Sequence, residues 1–139
     1  MAAVYERFVQ LIGTVIKTCG LLEFQINHVI KSSSKDPILA KHVIKLPLRR
    51  RIEVLQDLML DRPELKAPEV KSLCKELKKI AEERNLIAHS PVVVGAKPQP
   101  PKIRAEPKDI SEADLEAFLK RTSRALGNLF GLLAKITSR

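Results

Sequence analysis

The chain has 139 residues, 45% of them hydrophobic and 29% charged, so it holds enough apolar material for one folded domain and is not a wholly disordered chain. Aromatic residues make up 4% and Trp is absent, which disfavours a stacking platform for single-stranded nucleic acid. Lys and Arg number 25 against 16 Asp and Glu, a net charge of +9 that favours polyanionic partners such as RNA, DNA or an acidic protein surface.

The N-terminus, Met-Ala-Ala-Val-Tyr-Glu-Arg-Phe, lacks a basic segment followed by an apolar one, so no secretory leader is expected. From Val4 to about Ile30, apolar residues recur at helical spacing: Val4, Phe8, Leu11/Ile12, Val15/Ile16, Cys19, Leu22, Ile26 and Val29/Ile30. Lys17 and Glu23 interrupt this stretch, so no uncharged run reaches the ~18 residues of a membrane span. No membrane partner is expected, and the reading is a cytoplasmic protein. Cys19 and Cys74 belong to no Cys-x-x-Cys or Cys/His spacing. That excludes zinc-ribbon and finger architectures and leaves the two as small buried hydrophobes.

Ser32 to Ser34 ends the first helix, and Asp36-Pro37 reads as an N-cap followed by Pro at the first helical position. The second helix starts there with Ile38, Leu39, Val43 and Ile44. It meets Pro47, which breaks or kinks it, and resumes through Leu48, Ile52, Leu55, Leu58 and Met59. A third helix is expected from about Glu69 to Ala88, stopped by His89-Ser90-Pro91 because Pro91 biases Ser90 away from helical angles. Val92 to Gly95 reads as a short strand, and the rest of Val92 to Asp109 as a long proline-rich loop. Ser111-x-x-Asp114 opens a fourth helix as a variant capping box, with apolar residues from Leu115 to Ile136. The expectation is a single all-α domain over residues 1–139. Its architecture would be a four-helix up-and-down bundle with a kinked second helix and a long Pro-rich loop before the last.

Polar residues break these patterns at informative places. Glu23 lies on the stripe Ile16, Cys19, Glu23, Ile26, Ile30, where a carboxylate is costly unless paired or protonated, and Asn27 shares its side. Arg84, between Ile80 and Ala88, is the expected partner. His89 stands at a helix end, where an imidazole can also be no more than a favourable dipole contact. Cations cluster at Arg49, Arg50 and Arg51, at Lys75, Lys78 and Lys79, and at Lys97, Lys102, Arg104 and Lys108.

The segment Glu83 to His89, Glu-Arg-Asn-Leu-Ile-Ala-His, resembles the signature of the HEPN superfamily: an Arg, a polar residue and a His after four to six intervening residues. Glu23 in the first long helix, the helix order and the motif's place at the end of the third helix resemble the family as well. The Tyr that follows the His by two residues in one toxin branch is Pro91 here. The resemblance implies a metal-independent endoribonuclease without cofactor or metal, with a composite site between two copies of the chain. His89 would be the general acid or base, Arg84 would hold the scissile phosphate, Asn85 would orient one of these, and Glu23 would support them. Arg49, Arg50, Arg51, Lys78 and Lys79 are the expected RNA-binding cations. Defence or toxin–antitoxin biology with an inhibitory protein partner would follow. The alternatives are a non-catalytic HEPN-fold module that binds RNA or protein, and a plain helical dimerisation module.

Overall fold

A computed structural model describes residues 2–93 and 99–137 of the chain. The described residues are almost entirely helical. α1 spans Ala2–Ser33, α2 Pro37–Val43, α3 Leu48–Leu60, α4 Ala67–His89 and α5 Glu112–Thr137. A two-stranded antiparallel ribbon, β1 at Val92–Val93 and β2 at Lys102–Ile103, sits between α4 and α5. The all-α class stands. Val94, Gly95, Lys97 and Pro98 of the expected strand and proline-rich loop lie outside the described residues.

α1 packs against α5 and α3, and α4 packs against α3 and α5, enclosing one core. Phe8, Val15, Cys19, Leu22, Ile26, Val29 and Ile30 carry α1 into that core. Val4 and Ile16, expected inside, are exposed. Val4 stands in the first turn of α1, and Ile16 lies one residue, about 100° round the helix, from the buried Val15 and off its stripe. By length and composition α1 is also the one described helix able to cross a bilayer.

The expected kinked helix is two separate helices. Asp36 caps α2, its Oδ1 accepting the Ile38 and Leu39 N–H groups at 3.0 and 3.3 Å. Pro47 then stands at φ −53°, ψ 148° as the N-cap of α3, and this extended ψ turns the chain rather than bending a continuous helix. Only Ala40 and Val43 of α2 are buried, and Ile38 and Leu39 face outward, because seven residues make too short a helix to bury both sides.

α4 stops as its sequence demands: Ser90, at ψ 144° before Pro91, donates its N–H to Leu86 O. The segment after it is tied down more firmly than a spacer would be. Val92 pairs with Ile103, Ile103 bridges to Ile110, and Ile103 is wholly buried. Lys102 meets Asp109 at 2.8 Å.

At the start of α5, Ser111 donates its N–H to Asp114 Oδ2 at 2.9 Å, and Asp114 donates its N–H to Ser111 Oγ at 3.2 Å, a reciprocal cap. These Ser111 hydrogen bonds hold the Asp114 carboxyl below its usual pKa. The stabilisation is therefore complete above the unfolded carboxylate range and is lost as pH falls through the lowered folded value. Asp114→Ala is expected to cost about 1 kcal/mol at pH 7 and progressively less as pH falls below the usual carboxylate range, read from urea midpoints across that range.

Both cysteines are free and buried, and burial pushes each thiol up to about 11. At pH 8 that leaves about one thiolate in a thousand, so iodoacetamide should label neither residue until the chain is unfolded. Intact mass after timed alkylation, with and without urea, is the check.

Candidate functional site

Three of the residues singled out in the sequence lie on the last two turns of α4. Arg84 is half-buried and points toward α1, where its charge draws the Cys19 thiol downward against the larger upward push of burial. Its Nη1 also donates to Asn85 Oδ1 at 3.3 Å. Asn85 and His89 are exposed. With Lys78 and Glu82 they form a row at spacings of four, three and four, which is one face of a helix.

That face looks toward α3. Arg49 meets Glu82 at 3.4 Å, Lys78 meets Glu53 at 3.7 Å, and Arg50 meets the same Glu53 at 3.8 Å. Three cations thus share two carboxylates along the seam that ends in Asn85 and His89. Exposed pairs of this kind are worth less than about 1 kcal/mol, so a phosphate can displace their carboxylates at little cost. Of the expected RNA-binding residues, Arg49, Arg50 and Lys78 fall on this face. Lys79 does not: it lines the groove between α4 and α5.

Arg51 corrects the sequence reading twice. It is no surface cation, since only 9% of its side chain is accessible. It is also Arg51, not Arg84, that meets Glu23. Nη2 donates to Glu23 Oε1 at 2.6 Å, Nη1 to Asn27 Oδ1 at 2.8 Å and Nε to Leu46 O at 2.9 Å. Three acceptors around a planar fork are what a buried guanidinium needs. The signal was present in the stripe Leu48, Arg51/Ile52, Leu55, Leu58/Met59, which turns Arg51 inward as much as Ile52.

A second pair gave no signal in the sequence. Arg121 on α5 makes a two-pronged contact with Glu83, at 2.8 and 2.6 Å, and lies over the Phe118 ring at 5.6 Å. It ties α5 to the residue just before Arg84. The two are 38 residues apart, and no local pattern links them. Of the loop cations, Lys102 and Lys108 are held by Asp109 and Asp114.

The arrangement offers an open imidazole and amide on the same helix face as displaceable cations, with a guanidinium anchored about one turn from the imidazole. Such a set can bind a phosphodiester and exchange protons with it. Comparison with protein-family models, curated proteins and solved structures returned no match for the chain.

Proposed function

We propose that the chain is a HEPN-type domain, with its four longer helices as an up-and-down bundle, and that it cleaves RNA as a cytoplasmic endoribonuclease in defence or toxin–antitoxin biology, held in check by an inhibitory protein. The observation that carries this reading is the exposure of Asn85 and His89 on the same face as Arg49, Arg50 and Lys78. The reaction uses the substrate's own nucleophile and needs no metal. The ribose 2′-oxygen attacks the adjacent phosphorus, the bond from phosphorus to the 5′-oxygen breaks, and the ends are a 2′,3′-cyclic phosphate and a 5′-hydroxyl. His89 takes the proton from the 2′-hydroxyl, or gives one to the departing 5′-oxygen. Arg84, steadied by Asn85, meets the charge that builds on the phosphoryl oxygens.

A second copy supplies the other half of the site in this reading. The outward side of α1 supports it, since Tyr5, Val9, Ile16 and Phe24 are exposed there and Phe24 is 68% accessible. The test is incubation of the purified chain with mixed RNA in EDTA, followed by analysis of the ends. Cyclic-phosphate termini support the reading. Intact RNA at every pH from 5 to 9, or a monomeric mass by light scattering, counts against it. A non-catalytic RNA-binding module is the second reading, favoured by the inward, half-buried placement of Arg84.

A further inference from the structure

Between the first half of α4 and the second half of α5 runs an open groove of about 920 Å³. It faces away from the row of Lys78, Glu82, Asn85 and His89, and none of these lines it. Two carboxylates in it are already engaged, Glu69 by Lys135 at 3.3 Å and Glu76 by Arg121 at 4.0 Å. Lys75, Lys79 and Arg124 also line the groove and make no ion pair among the described residues. The groove therefore carries uncompensated positive charge.

The buried residues that line it are Leu73, Ala125 and Leu132, and its exposed α5 side is unusually bare. Gly127 and Gly131 are four apart on α5, and a Cβ added at either would meet nothing within 4 Å. Two glycines one turn apart cost helix propensity and contribute no packing here. They do leave room for another backbone to approach closely. Pro68 to Lys79 spans about 17 Å of α4, or about three helical turns.

From charge, length and the bare α5 side together we infer that this groove docks an acidic amphipathic helix of a partner protein, laid along α5 with its carboxylates on Lys75, Lys79 and Arg124. A nucleic-acid strand fits less well. No aromatic residue lines the groove for base stacking, and glycines spaced by one helical turn give a sugar–phosphate chain no advantage. The inference stands apart from the nuclease reading.

The probe is a fluorescein-labelled synthetic 14-residue helical peptide, Glu along one face and Ala and Leu along the other, titrated against the full chain by anisotropy. Binding is expected, and at least a tenfold loss in Gly131→Leu, a variant whose added Cβ meets nothing within 4 Å and so leaves the helix in place. Circular dichroism checks that the helix content is unchanged. A comparable loss in the Lys75→Glu, Lys79→Glu double variant is expected too. RNA cleavage, read from its cyclic-phosphate ends, should be the same in Gly131→Leu as in the parent. Absence of binding, or binding that Gly131→Leu leaves unchanged, overturns the inference. So does displacement of the peptide by an oligouridylate that binds parent and Gly131→Leu equally, which would make the groove a phosphate track.

Discussion

Glu23→Ala is expected to lower stability by about 3 kcal/mol, a shift of about 2 M in the urea midpoint at the slope usual for a domain of this size. The cost comes from what the substitution leaves behind. Arg51 is 9% accessible and would keep its full charge with only the Asn27 and Leu46 oxygens to accept from it. Arg51→Ala should cost less, because Glu23, at 29% accessible, can turn to water. The pair itself is a different matter from its halves. Replacing both together, Glu23→Leu with Arg51→Met, should come within about 1 kcal/mol of the parent, since hydrophobic residues of similar volume avoid the desolvation that the ion pair has to offset. A Glu23→Ala midpoint equal to the parent's would mean that the Arg51 guanidinium reaches solvent. A double variant as unstable as Glu23→Ala would mean that the pair contributes beyond charge neutralisation.

His89→Ala is expected to reduce RNA cleavage on the order of 10³-fold while leaving the thermal midpoint where it was. The two readouts separate chemistry from folding. His89 is exposed at the last residue of α4 and has no hydrogen-bonded partner among the described residues, and a surface substitution of this kind changes stability by about 0.5 kcal/mol at most. Arg84→Ala differs. It should also abolish cleavage, but it removes a half-buried side chain that bonds Asn85 and faces α1, so its midpoint should fall as well. Arg84→Lys keeps the charge and loses the planar fork. Under the nuclease reading it restores the midpoint more than the rate. Equal cleavage by parent and His89→Ala would remove the imidazole from the reaction. Cleavage that vanishes only when the midpoint collapses would leave Arg84 a structural role and place the chemistry on other residues.

The helices were legible because their signals are local. Helical spacing of apolar residues, the Asp36-Pro37 start, the Ser111–Asp114 box and the Ser90-Pro91 stop each act within one or two turns, and each stands where the chain places it. The same local reading put Glu23 on a buried stripe and Asn85 and His89 at a helix end. It went wrong where a longer range decided. Pro47 separates two helices instead of kinking one, because the chain between α1 and α3 has to turn back through α2. Ile16, Ile38 and Leu39 have the right spacing for a core, but they stand on sides of α1 and α2 that no neighbouring helix covers.

Sequence alone determined the helical class, several of the helix ends, the excess of positive charge and the identity of the polar residues that needed explaining. Their partners were settled only in three dimensions. Glu23 met Arg51 and not Arg84, Arg121 reached Glu83 across 38 residues, and three cations of two helices converged on the face of Asn85 and His89. Hydrogen bonds along one helix depend on neighbours in the chain. An ion pair between helices depends on which turns lie level when the cores close, and side-chain spacing within a single segment carries no information about that.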